Sequence, residues 1–416
     1  MKGGGRRSEA TVALKVVLGV SGGIAAYKAC ELVRALVKRG DEVRVVMTRN
    51  AQEFVTPLTF QALTQQPVGV ATFDAGYEAQ IGHIELARWA DVVLVAPATA
   101  NTIAKMAQGM ADDLLTTVLL ATRAPVVVAP AMNTQMYLHP RVQANLETLR
   151  QTERHLVIEP DAGELACGEV GAGRLPDPPV ILAELDRAFS PQRLQGKRVL
   201  LSAGPTREAI DAARFLSNPS SGKMGYALAA AARQLGAEVT LVSGPTALAT
   251  PYGVTRVDVV SAAQMHREVM ARVASVDVAM MVAAVADWRP AHPSDKKVPK
   301  SQMTPSLELE RNPDILADLG ERYGHGRQGD GDERRPLVVG FAAESHDVIE
   351  RARSKCARKG AHAIVANRIG GPTSTFGAES ATVHLLAGED EPQTFSGTKT
   401  EVARALWEAL AGHLQR

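Results

Sequence analysis

The sequence predicts two doubly wound α/β domains in series, and three observations carry that prediction. Short, near-continuous runs of Val, Ile and Leu alternate with longer helix-like stretches, as parallel strands covered on both faces require. The alternation breaks once, at a proline-rich stretch, and then starts again. The chain has 416 residues, too many for one ordinary core and enough for two or three domains of about 100–200 residues. Strand–helix alternation of this kind implies right-handed crossovers within each domain.

In the first half, 14–20, 43–48, 91–96, 126–129 and 155–158 are the strands, each a compact apolar run. Between them 24–39, 57–63, 101–107, 112–121 and 134–150 fit helices. The break falls at 175–196, where Pro176, Pro178, Pro179 and Pro191 surround one short helix, 181–189, in what is expected to be a linker. This divides the chain into domains 1–190 and 191–416. After the break, 198–202, 238–243, 276–284, 337–341, 363–366 and 382–386 are strands, and the polar, glycine-rich 324–335 is expected as an exposed mobile loop.

Hydrophobic residues are 45% and charged residues 22%, a soluble globular profile. Lys plus Arg number 46 against 45 for Asp plus Glu, so no overall field favours nucleic acid or an anionic membrane, and any anion site is local. Aromatics at 4% argue against base-stacking surfaces. The three cysteines, Cys30, Cys167 and Cys356, are widely spaced and form no Cys-x-x-Cys pattern, which points to a reducing compartment. Residues 1–10 are rich in Gly and Arg without an apolar stretch, so a frayed tail is expected rather than a signal peptide. No run approaches about 20 apolar residues, and the cytoplasm is the expected location.

In doubly wound sheets ligands bind beyond the carboxyl ends of the strands. The first exit, Gly19-Val20-Ser21-Gly22-Gly23-Ile24-Ala25, leads into a helix whose N–H groups suit a phosphate. It lacks the full Gly-x-Gly-x-x-Gly spacing, which favours a mononucleotide over a dinucleotide; a bare tight turn would use the same glycines. Thr48 ends the second strand. Thr99 and Asn101 follow the third, where they either bond a ligand or cap the next helix. The fourth exit, Pro130-Ala131-Met132-Asn133-Thr134-Gln135-Met136, repeats the pattern.

Ser21-Gly22-Gly23-Ile24-Ala25-Ala26-Tyr27-Lys28, His83-Ile84-Glu85-Leu86 with Asp91, the 97–102 segment and Pro130-Ala131-Met132-Asn133-x-x-Met136 resemble the flavin-containing cysteine decarboxylases. The resemblance spans about 14–174 and implies a flavodoxin-like domain that binds FMN through Ser21, Gly22, Gly23, Thr48, Thr99 and Asn101. By the same resemblance His83 is the base that handles the substrate's thiol proton, a role suited to imidazole. Asn133 holds the substrate carboxylate, Met136 lies beside the substrate, and Cys167 donates the last proton. Outside the motif, a single His or Cys is more often an ordinary packed side chain. The glycines around Cys167 argue for a flap over the sheet edge. Tyr137 departs from the family, which commonly has Trp there, with little consequence expected.

The second half carries Ser217-Asn218-Pro219-Ser220-Ser221-Gly222-Lys223-Met224-Gly225. A P-loop reading fails, because Ser217 stands where the first glycine belongs and Met224 offers no hydroxyl to Mg2+. Next come Ala283 to Arg289 with Asp287, the basic cluster Lys296-Lys297-Val298-Pro299-Lys300, Asn312-Pro313-Asp314-Ile315-Leu316, and Gly340-Phe341-Ala342-Ala343-Glu344. Lys355 and Lys359 share one helix face at i, i+4 and could hold one polyanion. In this order the motifs resemble phosphopantothenate–cysteine ligase, over about 196–388, and the fusion resembles the bacterial bifunctional coenzyme A enzymes.

That resemblance implies ligation of 4′-phosphopantothenate with L-cysteine through an acyl-cytidylate, with CTP as cosubstrate and Mg2+. Ala283, Asp287, Pro313, Asp314, Ile315, Leu316, Phe341, Lys355 and Lys359 match the CTP site. Asn218 matches a residue needed to convert the intermediate. Lys297 matches the catalytic lysine, with Lys296 as the alternative because Pro299 interrupts the family's cluster. The resemblance further implies trimeric flavin units and dimeric ligase units, a dodecamer when fused. A non-catalytic flavin-binding regulator of the same fold is the competing reading, disfavoured by the joint presence of His83, Asn133 and Cys167.

Overall fold

The computed structural model describes residues 13–71, 82–164, 170–299, 306–324, 336–370, 378–388 and 390–414. The chain forms two compact units, Glu9–Phe189 and Ser190–Arg416. The segment 325–335, expected as a mobile loop, lies outside the described residues.

In the first unit, β1 (Lys15–Val20), β2 (Glu42–Met47), β3 (Val92–Ala98), β4 (Val126–Pro130) and β5 (His155–Val157) form one parallel sheet, ordered β2-β1-β3-β4-β5. The unbroken apolar run of β1 follows from this position. Val16, Leu18 and Val20 enter a core with Leu32, Leu36 and Phe60 of α1 (Ala26–Arg39) and α2 (Pro57–Thr64). Val17 points the other way, into a core shared with α3 (His83–Trp89), which contributes Leu86 and Ala87. Both faces are buried, so no position can be polar.

α4 (Ala100–Gln108) and α5 (Leu114–Ala121) follow β3. The helix expected over 134–150 is two helices, α6 (Thr134–Leu138) and α7 (Pro140–Arg150). Pro140 has no N–H to donate and holds His139 in an extended conformation, φ −61 and ψ 130, so the first helix stops there. The glycine-rich stretch beyond β5 forms an antiparallel pair, β6 (Asp161–Glu164) and β7 (Val170–Arg174). α8 (Pro178–Phe189) starts at Pro178 and buries Ile181 and Leu185 in the core beneath α1. Part of the proline-rich stretch therefore packs into the first unit.

The main sheet of the second unit has eight strands: β8 (Arg198–Ala203), β11 (Glu238–Ser243), β12 (Val254–Asp258), β13 (Val278–Met281), β16 (Leu337–Glu344), β17 (Ala363–Arg368), β18 (Ser380–Ala387) and β19 (Gln393–Thr398). Their order is β12-β11-β8-β13-β16-β17-β18-β19, and the last two pairings, β17 with β18 and β18 with β19, are antiparallel. In chain order the six parallel strands read 3-2-1-4-5-6, the Rossmann arrangement. α9 (Lys223–Gln234) and α13 (Lys399–Ala411) cover one face, where Trp407 is fully buried and donates Nε1–H to Leu228 O at 2.8 Å. α10 (Ala262–Met270), α11 (Ile315–Tyr323) and α12 (Val348–Lys359) cover the other. Two short ribbons, β9 (Arg207–Ala209) with β10 (Phe215–Ser217) and β14 (Trp288–Pro290) with β15 (Leu309–Arg311), extend from the strand exits. Among the described residues no helix is long and apolar enough to cross a membrane.

Candidate functional site

Each sheet changes direction beside the first strand of its unit, between β1 and β3 in one and between β8 and β13 in the other. At such switch points neighbouring loops part and leave a crevice. Each unit has a cleft there.

The first cleft has a volume of about 770 Å³, in the range of small-molecule sites. Gly22, Gly23, Thr48, Thr99, Asn101, Asn133 and Met136 all line it. α1 opens onto it without a side-chain cap or an acidic residue in its first turn, so the positive end of the helix is exposed to the cleft. Gly22 is there for space. A Cβ on it would sit 2.4 Å from Asn50 Cβ and 2.7 Å from the Asn50 carbonyl carbon. Thr99 caps α4, and its side chain accepts from Thr102 N; Thr48 precedes a short turn and makes no side-chain cap.

Ser21, expected to face the ligand, does something else. It is 1% exposed; its Oγ donates to Pro97 O at 2.7 Å and accepts from Thr99 N at 2.9 Å. It ties the β1 exit to the β3 exit and does not line the cleft. His83 begins α3 and is also absent from the lining. Cys167 lies outside the described residues.

Asn133 caps α6, its Oδ1 accepting from Gln135 N at 2.8 Å. The β7 strand passes close by: Met132 N donates to Gly173 O at 2.9 Å, and a Cβ on Gly173 would lie 2.3 Å from Met132 O. Gly173 also has φ +132, so a side chain is doubly excluded.

The sequence reading missed several charged residues in this lining. Arg49, Lys105, Asp112, Asp113 and Arg174 all border the cleft, as does Lys28. Lys105 is held by Asp112 at 2.7 Å and Asp113 at 3.3 Å, and the Asp112 hydrogen bond is the main reason its pKa is raised. Lys28 and Arg174 both reach Asp177, at 2.8 and 3.3 Å. Arg49 directly follows Thr48, so reading one residue further along that strand exit would have found it.

The second cleft, of about 430 Å³, is lined by Ala283, Asp287, Pro313, Asp314, Ile315, Leu316, Phe341, Lys355 and Lys359. Residues from four separate stretches of sequence, 283–287, 313–316, 341 and 355–359, thus meet around one space. The exit of β13 is braced from several sides. Ser202 Oγ accepts from Val282 N and Ala283 N at 3.1 and 3.2 Å, and Thr206 Oγ1 accepts from Ala286 N at 3.0 Å. Asn312 bonds both Ala286 O, through Nδ2 at 2.8 Å, and Asp287 O, through its backbone N–H at 2.9 Å. Ser202 and Asn312 line the cleft as well, and only the folded chain reveals them as supports.

Lys355 and Lys359 lie one turn apart on α12 and share the cleft. Lys359 pairs with Asp314, whose carboxylate also caps α11 by accepting from Ala317 N at 3.0 Å. Lys355 donates to Phe341 O at 3.5 Å; burial pushes its ammonium pKa down, against the opposing charges of Glu344 and Asp287. Asn218 does not line the cleft but adjoins it, with Nδ2 donating to Val285 O at 3.0 Å.

Lys296 and Lys297 are exposed and do not line this cleft. Their segment is anchored at the next residue. Val298 N donates to the buried Asp211 Oδ2 at 3.1 Å, and Arg214 Nη2 donates to Val298 O at 2.7 Å. The Arg214 guanidinium, helped by the Ala213 N–H, holds the Asp211 carboxyl far below the usual carboxylate range. Among the described residues no group of three or more His, Cys, Asp or Glu could hold a metal ion.

Residues 5–190 match the family model described as Flavoprotein, and residues 194–414 match the DNA/pantothenate metabolism flavoprotein C-terminal domain. The coenzyme A biosynthesis bifunctional protein CoaBC of Vibrio cholerae is 49% identical over 94% of this chain and 96% of its own length. The protein of the same description from Escherichia coli K12 is 49% identical over 89% of this chain and 90% of its own. A solved PPC decarboxylase mutant complexed with pantothenoylaminoethenethiol is 34% identical, covering 42% of this chain and 96% of that one, with a TM-score of 0.37. Near full-length identity across both units, with a family model matched by each, decides the assignment: the chain belongs to the CoaBC family of bifunctional coenzyme A biosynthesis proteins.

Proposed function

We propose that the second unit joins 4′-phosphopantothenate to L-cysteine with cleavage of CTP, and that the first unit decarboxylates the 4′-phosphopantothenoylcysteine so formed. The observation that carries this reading is the gathering of nine motif residues from four stretches of sequence around the cleft at the β8/β13 switch; the other unit has a flavin-sized cleft of its own at the β1/β3 switch.

In the first cleft the open start of α1, with Gly22 and Gly23, suits a flavin phosphate, because backbone N–H groups and the helix dipole both favour an anion there. Thr48, Thr99 and Asn101 supply side-chain hydrogen bonds along the same wall. FMN held by these residues would supply a reversible two-electron acceptor for the substrate's thiol-bearing carbon. Asn133 offers its Nδ2 donor to the departing carboxylate without adding a cation that would hold it back. Met136 walls the substrate. His83 accepts the thiol proton and Cys167 returns the final one. His83 stands apart from its own chain's cleft, which fits an assembly of trimeric flavin units in which it serves a neighbouring subunit. With dimeric ligase units this gives a dodecamer.

In the second cleft the substrate carboxylate attacks the α-phosphate of CTP, pyrophosphate leaves, and the amine of cysteine then displaces CMP from the acyl-cytidylate. Lys355 and Lys359 hold the nucleotide's phosphates, Asp287 and Phe341 flank it, and the backbone of Ala283 and of Pro313, Asp314, Ile315 and Leu316 lines its seat. Mg2+ enters with the triphosphate. Lys297 neutralises charge at the reacting phosphorus, and Asn218, beside the β13 exit, holds the intermediate for the amine.

The test is incubation with 4′-phosphopantothenate, cysteine, Mg2+ and either CTP or ATP, scored for pyrophosphate, CO2 and 4′-phosphopantetheine. CTP-dependent formation of all three is expected. Pyrophosphate without CO2 would remove the decarboxylase reading, and equal rates with ATP would remove the choice of CTP.

A further inference from the structure

Lys297 sits on a segment, 291–299, that forms neither helix nor strand. A group that must meet a reacting phosphorus cannot wander, because a displacement of about 1 Å can cost about a hundredfold in rate. The segment is tied to the hairpin of β9 and β10 at two points that flank Lys296 and Lys297. On one side Ser294 N donates to Ile210 O at 3.1 Å. On the other, Val298 N donates to Asp211 Oδ2 at 3.1 Å, and Val298 O accepts from Arg214 Nη2 at 2.7 Å. Both polar backbone groups of the residue next to Lys297 are therefore gripped.

The two oxygens of Asp211 have different tasks. Oδ1 accepts from Ala213 N at 2.8 Å and from Arg214 N at 2.9 Å, closing the turn between β9 and β10. Oδ2 accepts from Arg214 Nε at 3.0 Å, from Arg214 Nη2 and from Val298 N. The turn uses the first oxygen alone, and a neutral Asn would close it as well. The Asp211 side chain is wholly removed from solvent, where a carboxylate costs far more than an amide. Only the second oxygen calls for the charge, since it holds a guanidinium and a backbone N–H together.

We infer that Asp211 is a positioning residue of the ligase: with Arg214 it clamps Val298 and so sets where Lys297 presents its ammonium group. The inference rests on the ligase reading above, and on Lys297 within it. The same hairpin runs on through β10 into Asn218. One ribbon thus supports both the lysine assigned to activation and the asparagine assigned to conversion. The clamp serves the lysine, so its loss acts on the first step, in which the acyl-cytidylate forms, and spares the second.

Asp211→Asn in the full chain tests this. With its oxygen in the Oδ1 place the amide keeps the turn. Its NH2 group then meets the Val298 N–H and the guanidinium donor to donor, and the clamp opens. The Val298 amide should exchange hydrogen about tenfold faster or more, with the Ala213 amide unchanged. For CTP-dependent pyrophosphate release, kcat should fall about tenfold or more. KM for CTP, set around Lys355 and Lys359, should stay within about twofold, and CO2 release from supplied 4′-phosphopantothenoylcysteine should be unaltered. No acyl-cytidylate should accumulate; accumulation would place the fault at Asn218 and overturn the assignment. Full kcat with a freely exchanging Val298 amide would overturn it too. If Asp211→Asn loosens the whole hairpin, Val298→Pro removes the same N–H from the half-exposed loop. It should give the same split between kcat and KM, and a rise in KM to match the fall in kcat would reject the clamp. Lys297→Gln, assayed alongside, keeps the two ideas apart. Full release from that variant sinks the lysine reading, whereas lost release with Asp211→Asn at full rate sinks the clamp alone.

Discussion

Ser21 and Ser202 occupy equivalent places in two different sheets, each at the end of the first strand and each 1% exposed. Ser21 Oγ braces the exit of β3, and Ser202 Oγ braces the exit of β13. In both units a buried hydroxyl therefore sets the loop across the switch point, and a motif serine supports the site from behind. Ser202→Ala would orphan two backbone N–H groups, which should cost about 1–3 kcal/mol in urea unfolding and raise KM for CTP; unchanged stability would mean that water replaces the hydroxyl. Asn133 allows a cleaner separation of roles. Asp caps helices as well as Asn does, so Asn133→Asp should keep stability within about 0.5 kcal/mol yet lose decarboxylation, because the Nδ2 donor is gone. Asn133→Ala should lose both. Full CO2 release from the Asp variant would reduce Asn133 to a cap.

At the scale of the element, α12 shows what an i, i+4 pair can do once a fold gives it a target. Lys355 and Lys359 lie along one face, but their surroundings divide them: Lys359 is neutralised by Asp314, while Lys355 is pressed into the cleft. Because burial lowers the Lys355 pKa, its charge is lost at lower pH than an ordinary lysine would lose it. KM for CTP should therefore climb on the alkaline side before about pH 10.4. Lys355→Arg should move that rise upward, since guanidinium stays charged to above about pH 12; an unshifted limb would assign it to another group. The sign for stability is opposite, because losing the proton relieves a buried charge, so folding itself should not weaken across this limb. The split between α6 and α7 teaches a different lesson. Helical periodicity continues through 134–150, and Pro140 alone stops it, placing Asn133 and Met136 on a five-residue helix of their own.

Across the whole molecule, each unit encloses its own pair of cores, one on either side of its sheet. Separate expression should therefore give two cooperative folders. The fragment 190–416 should cleave CTP without flavin, and 9–189 should bind FMN and turn yellow; a fragment that unfolds without its partner would show that the units stabilise each other. The strands, the helices between them and the doubly wound class were legible because a sheet buried on both faces forces continuous apolar runs. Strands β12 (Val254–Asp258) and β19 (Gln393–Thr398) and helix α13 escaped, since both strands are half exposed and leave no such run. The site residues were legible where motif and strand exit coincide. The braces Ser202, Thr206 and Asn312, and the Asp211–Arg214 anchor beside Lys297, were not. Local sequence thus determined which segments become strands, and which exits carry chemistry, because period and composition act over a few residues. Which exits meet, which serine turns inward, and which lysine is buried depended on strand order, a property of pairings such as Val16 with Val92 and Val199 with Val278, far apart in sequence.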